Sequence, residues 1–305
     1  MTDLAALLLL ALLLDALLGE PDWLWSRVPH PAVLMGNAIS WCDKTFNSGG
    51  ARRLRGALVI AALVAAAVLV GWVLSALPLG PMFEVVLAAI LLAQRSLVTH
   101  VADVAQALRV GLADGRMMVA RIVGRDTRDL DESGVARGAI ESAAENLSDG
   151  VIAPAFWFLL LGLPGILAYK MINTADSMIG YRTPRHEAFG WAAARLDDLV
   201  NWVPARLTAG LLMIGAGRLD LWPMIRANAV HHRSPNAGWP EAAMAGALDV
   251  ALSGPRSYDG QMREEPFVNP KGRRGITPDD IDRAVHMLWR AWGIVVLFLA
   301  GAALF

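Results

Sequence analysis

The chain has 305 residues, of which 55% are hydrophobic before its 28 glycines are counted, against roughly 45–50% with glycine included for soluble domains. Charged residues make up 18%, below the usual quarter or so, and their scarcity is concentrated in long stretches that read as membrane spans. The formal net charge of −1 argues against a general nucleic-acid binder, and the single cysteine, Cys42, excludes an intrachain disulfide and a Cys-rich metal site.

Leu4–Leu18 is apolar, but no Lys or Arg precedes it and Asp15 interrupts it. A cleaved signal would have a basic start and a small-residue cleavage site, so this segment is expected to be retained as a short membrane or interfacial helix. Gly56–Leu77 runs 22 residues without a charge, enough to cross about 30 Å of hydrocarbon at about 1.5 Å per residue. Pro78–Pro81 then turns, and Met82–Leu97, carrying Glu84 and Gln94, returns as the second arm of a hairpin. Residues 98–150 read as amphipathic helices outside the hydrocarbon. Val151–Ile172 is apolar again, with Pro154, Gly162, Pro164 and Gly165, and Leu199–Gly217 is interrupted by Pro204 and Arg206. A second polar region follows at 218–287, turn-rich from Ser253 to Thr277, and Leu288–Phe305 closes the chain as an apolar helix. The expected fold is all-α: a polytopic integral membrane protein with about four to six apolar segments and amphipathic cytoplasmic helices. It reads as one membrane-embedded domain over 1–305.

Lys44, Arg52, Arg53 and Arg55 put the loop after the first segment on the cytoplasmic side. The hairpin returns 98–150 to that side. A full crossing by Val151–Ile172 would carry Arg182, Arg185 and Arg195 outside, against the positive-inside rule. A segment broken at Pro154 and Pro164 and re-entering by the same face keeps them inside; both readings stand at this point.

Four clusters carry chemistry. Glu141, Glu145 and Asp149 recur every four residues on one helix face, without a cationic partner at i+4. Mutual repulsion calls for a counter-charge, and Mg²⁺ favours one or two carboxylates plus phosphate oxygens; a solvated acidic face is the alternative. In Tyr169–Arg182, Asn173, Asp176 and Gly180 share a face, while Lys170, Arg182 and Arg185 suit an anion; a Lys170 snorkelling to the interface is the structural alternative. In Arg195–Thr208, Asp197 with Asn201 and Asp198 with Arg195 are the permitted helical pairs. His231–Glu241 reads as an anion- or ligand-contacting loop ahead of a helix started by Pro240, not as a metal site. There is no Walker A motif, dinucleotide turn, Cys/His zinc spacing or nucleophile elbow.

Glu141–Trp157 (ESAAENLSDGVIAPAFW), Gly165–Tyr181 ending in NTADSMIGY, Ala194–Thr208 (ARLDDLVNWVPARLT) and Ser234–Leu248 (SPNAGWPEAAMAGAL), with Gly19-Glu20-Pro21, His30-Pro31 and Gly36, closely resemble adenosylcobinamide-phosphate synthases, often labelled CobD or CbiB. The match runs in order over nearly the whole chain and is thinnest at Ser253–Thr277. The resemblance implies ATP-dependent amide formation in cobalamin biosynthesis. A propionate carboxylate of adenosylcobyric acid is joined to an amino-alcohol phosphate, either (R)-1-aminopropan-2-ol phosphate or a threonine phosphate. It implies ATP as cosubstrate, Mg²⁺, the lipid bilayer and, as further partners, other copies of the chain or late membrane enzymes of the pathway. The site is expected on the cytoplasmic face of the cell membrane. Within the motifs, Asp197, Asp198, Glu141 and Lys170 are expected to serve catalysis. Asn146, Ser148, Asn173, Arg182, Arg206, His30 and Asn236 are expected to contact substrate or phosphate, and Glu145, Asp149 and Asp176 the metal. The leading alternative is a non-catalytic membrane transporter or sensor that binds a phosphorylated small molecule.

Overall fold

The computed structural model describes residues 2–258 and 261–303. It is 74% helical, as the patterning predicts. The helices are α1 (Thr2–Leu18), α2 (Asp22–Trp25), α3 (Pro31–Phe46), α4 (Arg52–Ser75), α5 (Gly80–Leu91), α6 (Gln94–Val110), α7 (Leu112–Val119), α8 (Glu132–Leu147), α9 (Ala153–Ile179), α10 (Trp191–Val200), α11 (Trp202–Ala216), α12 (Trp222–Ala229), α13 (Gly238–Leu248) and α14 (Pro278–Ala303). Among the described residues, four helical runs are long and apolar enough to cross a membrane: Arg52–Ser75, Gly80–Val110, Glu132–Ile179 and Pro278–Ala303. A fifth arises if α10 and α11, bent by 43° at their junction, count as one span.

The chain divides into two compact units, Met1–Arg95 with Asp149–Trp202 and Phe298–Phe305, and Ser96–Ser148 with Val203–Leu297. In the first unit, α4 and α9 form the most extensive helix contact. Gly71 makes it possible, because a Cβ there would lie 2.6 Å from the Cα of Pro164. At that contact α9 is itself broken: Gly162 adopts φ 66°, ψ −153° two residues before Pro164, a conformation open to glycine, and helical bonding then resumes to Ile179.

Prolines free backbone carbonyls that other groups then occupy. Pro154 has no N–H to offer the carbonyl of Gly150, which accepts the N–H of Ala93 instead at 3.1 Å. The chain responds with a π-helical turn over Ser148–Ile152, an irregularity frequent at functional sites. Pro204 likewise cannot reach Val200, whose carbonyl accepts the Trp157 indole N–H at 3.1 Å, and the chain bends there.

The stretch Met82–Leu97, read from sequence as one arm, is divided at Leu92, which is extended (φ −79°, ψ 153°). The carbonyl of Ile90 accepts from the His30 ring at 3.2 Å, and the N–H of Gln94 is capped by the carboxylate of Asp15 at 2.9 Å. Asp15, the break in an apolar run, thus starts the next helix.

The second unit centres on α8 and α13, whose inward faces are Ala- and Gly-rich; Ala136, Ala139, Ala143, Ala242, Ala243 and Ala245 are fully buried. Ten residues of α8 are buried, so most of this helix is packed against protein. The turn-rich stretch after Ser253 contains two short antiparallel pairs, β1 (Leu252–Ser253) with β4 (Phe267–Val268), and β2 (Arg256–Tyr258) with β3 (Gln261–Arg263).

Candidate active site

Each unit gathers one polar cluster. In the first unit the π-turn leaves the Asp149 carbonyl facing Tyr169, a fully buried ring on α9 whose hydroxyl stands 3.0 Å from that carbonyl and 3.0 Å from Oδ1 of Asn201. One turn along α9, Asn173 donates to Oδ1 of Asp197 at 3.3 Å. The adjacent acids of α10 take different roles, as their helical spacing predicts: Asp198 pairs with Arg195 at 3.1 Å, whereas Asp197 faces the amide of Asn173. Asp197 also lies within reach of the negative charge of Asp176 and Asp198. Asp176 has no cationic partner among the described residues. Asp176 and Asp197 are carboxylates of the kind that Mg²⁺ takes in ones and twos together with phosphate oxygens.

One turn before Asn173 on α9, Lys170 lines a cleft of about 440 Å³ with Glu20, Trp25, His30 and apolar residues of α3 and α5. His30 caps α3: Nδ1 accepts the N–H of Ala32 at 3.1 Å, so Nε2 carries the proton donated to Ile90 and the ring is neutral. Burial pushes its pKa down, in keeping with that tautomer. Arg182 is exposed in the α9–α10 connection. Neighbouring Arg185, read as a possible anion contact, is engaged by Asp43 at 2.6 Å.

In the second unit, the counter-charge that Glu141 requires comes from arginine. Oε2 pairs with Arg125 at 2.9 Å and Oε1 with Arg256 at 3.4 Å, and Oε1 also accepts the backbone N–H of Ser253 at 2.6 Å. Arg256 reaches Glu265 at 3.5 Å. Close by, His232 approaches the buried Glu241 at 3.8 Å, and no protein group among the described residues donates to Oε1 of Glu241. Arg206 and Asn236, expected separately as substrate contacts, meet at 3.2 Å, with the Arg206 guanidinium 4.6 Å from the Trp239 ring centre, a cation–π distance. Asn146 folds back onto Ser142 at 2.9 Å, and Ser148 is buried at the C-terminus of α8. Glu145 is exposed on α8, whose α-helical register ends at Leu147. The four-residue ladder to Asp149 therefore crosses a change of helix type. Among the described residues, no three His, Cys, Asp or Glu side chains stand together as a ready-made metal cage.

Sequence reading did not single out Glu20, Trp25, Arg125, Arg256 or Glu241. Glu241 stands inside a quoted motif, and a lone acid in an Ala-rich helix was a usable signal. Arg125 and Arg256 gave none, because their partner is distant in the chain.

The family model described as CobD/Cbib protein matches residues 8–288. A relative from Sinorhizobium fredii is 50% identical over 93% of this chain and 92% of its own. One from Rhizobium meliloti is 49% identical over 99% and 98%, and one from Rhodobacter capsulatus 46% over 97% and 96%. Each is named Cobalamin biosynthesis protein CobD. No solved structure matches the chain. With four to five membrane-length helical runs and a match over nearly its full length, the chain belongs to the CobD/CbiB family of cobalamin biosynthesis.

Proposed function

We propose that this chain is an ATP-dependent amide ligase of cobalamin biosynthesis, joining an amino-alcohol phosphate to a propionate carboxylate of adenosylcobyric acid to give adenosylcobinamide phosphate. The observation that carries the reading is the full-length family match together with the polar network its motifs build around Asp197. A carboxylate is a poor electrophile, so ATP first converts it to an acyl phosphate, with ADP leaving. The amine then attacks the carbonyl carbon, inorganic phosphate departs and the amide remains. The attacking nitrogen must lose a proton. Asp197 is the acceptor this chain offers, since its neighbour Asp198 is already paired with Arg195. Asn173 holds the Asp197 carboxylate in place. Mg²⁺, held by Asp176 with substrate phosphate oxygens, would neutralise the triphosphate. Within the second unit, Arg206 and Asn236 are joined to each other and together offer a guanidinium and an amide that suit an anion.

The distribution of Lys and Arg supports a multi-pass arrangement in the cell membrane, with the site on the cytoplasmic face. The test is to purify the full chain in detergent and incubate it with adenosylcobyric acid, aminopropanol phosphate, ATP and Mg²⁺. The amide product is expected by mass spectrometry. Its absence where an established family enzyme forms it would overturn the reading. The break in α9 at Gly162 favours a second reading, a transporter whose discontinuous helix binds substrate. That reading predicts binding of the phosphorylated amine with no turnover.

A further inference from the structure

The cleft at Lys170 has few polar groups left to use. His30 employs both ring nitrogens, the carbonyl of Ile90 is taken by His30, and the N–H of Leu92 and of Ala93 bond to Ala88 and Gly150. Among the side chains that line it, the Lys170 ammonium and the Glu20 carboxylate feel each other's charge without a direct hydrogen bond or ion pair, and the Trp25 indole N–H is buried without an acceptor. All three residues line the same space, and the wall between is apolar, formed by Val33, Leu91 and Leu92. An unmatched buried donor calls for an acceptor, and Lys170, which faces the negative charge of Asp149 and Glu20, still has ammonium N–H groups to donate to an anion. The volume, about 440 Å³, falls in the range that takes a small molecule.

We infer that this cleft is a subsite for a small phosphorylated amine, its phosphate on the Lys170 ammonium and the Trp25 indole N–H, its own ammonium on Glu20, and its short carbon chain against Val33 and Leu91. The assignment rests on the ligase reading for the identity of the ligand, not for its chemistry. Two sources carry that chemistry: a free amino-alcohol phosphate and the headgroup of phosphatidylethanolamine.

Calorimetric titration of the full chain in detergent, without ATP or corrinoid, tests the site apart from catalysis. Three probes are used: 1-aminopropan-2-ol phosphate, isopropyl phosphate, which lacks the amine, and 1-aminopropan-2-ol, which lacks the phosphate. The zwitterion should bind, and loss of either end should weaken binding to wild-type protein by about tenfold or more. Lys170→Met should erase the preference for phosphate, and Glu20→Gln the preference for the amine. Lys170→Arg should keep much of the phosphate preference. Failure of wild-type protein to bind the zwitterion, or variants that discriminate among the probes as wild type does, would overturn the inference. The probe series on wild-type protein decides the matter even if a variant does not fold. Repetition in nanodiscs separates the sources. Competition by phosphatidylethanolamine and not by phosphatidylglycerol assigns the site to the headgroup, and undiminished binding assigns it to the soluble phosphate. Binding without amide synthesis would sink the ligase reading and leave the subsite standing; amide synthesis without binding would do the reverse.

Discussion

Glu141 and Asp197 come from equally polar stretches of sequence, and the fold treats them in opposite ways. Glu141 is enclosed by Arg125, Arg256 and the N–H of Ser253, so its charge is matched and its oxygens are occupied. Asp197 has an amide from Asn173 and the like charge of Asp176. The first arrangement matches the carboxylate with cations; the second leaves a carboxylate with no guanidinium beside it among the described residues. Acidic residues beside an apolar segment therefore do not announce their role by density. The role follows from whether a guanidinium answers the charge.

The sharpest way to break that comparison is to neutralise each acid in turn. Asp197→Asn should lower kcat for amide formation by about 10²–10⁴-fold, the usual contribution of a positioned general base, with little change in thermal unfolding. Activity near wild type would remove Asp197 from the chemistry. Glu141→Ala should instead unfold the protein more easily, by about 3–5 kcal/mol, because it takes the carboxylate away from the buried Arg125 guanidinium and leaves Arg256 with Glu265 and Ser253 alone. Chemical denaturation in detergent measures this, and an unchanged midpoint would show that the ion pairs do not hold the second unit together.

A smaller effect separates packing from chemistry. Gly71→Ala drives a methyl into Pro164 and should cost about 1–3 kcal/mol of stability while leaving the KM for each substrate in place. A neutral outcome would mean that α4 and α9 can part there without cost.

The pH dependence of stability sharpens the contrast further. Burial first, and then the charge of Glu141, holds the Glu241 carboxyl well above its ordinary range near 4.5. The folded chain therefore keeps a proton that the unfolded chain gives up. Stability from this group is present below that ordinary value and is lost as pH rises, with a slope of at most about 1.4 kcal/mol per pH unit. Glu241→Gln should flatten this part of the profile in denaturation curves taken across the range; an unaltered slope would refute the assignment.

Much of the fold was legible because its signals are local. The charge-free run at Gly56–Leu77 marks α4 without reference to any other residue, and the prolines at 154, 164 and 204 mark where helices bend or change type. Asp198 with Arg195 follows from helical spacing alone. The site was legible in its parts and not in its partnerships. The acidic run called for a cation, and metal was the local answer; Arg256 lies 115 residues away from Glu141, in the one stretch the family motifs cover least. Asp15 read as an interruption because its task, capping Gln94, is 79 residues distant. The cleft escaped notice for the same reason: Glu20 and Lys170 share it only once α9 has folded.

In the proposed ligase reaction, ATP activates the substrate carboxylate. Adenosylcobyric acid labelled with ¹⁸O in the reacting carboxylate tests it directly, with the released inorganic phosphate analysed by mass spectrometry. The account predicts one labelled oxygen carried into inorganic phosphate for each amide formed. Amide formation with unlabelled phosphate, or with the label recovered in AMP, would contradict it.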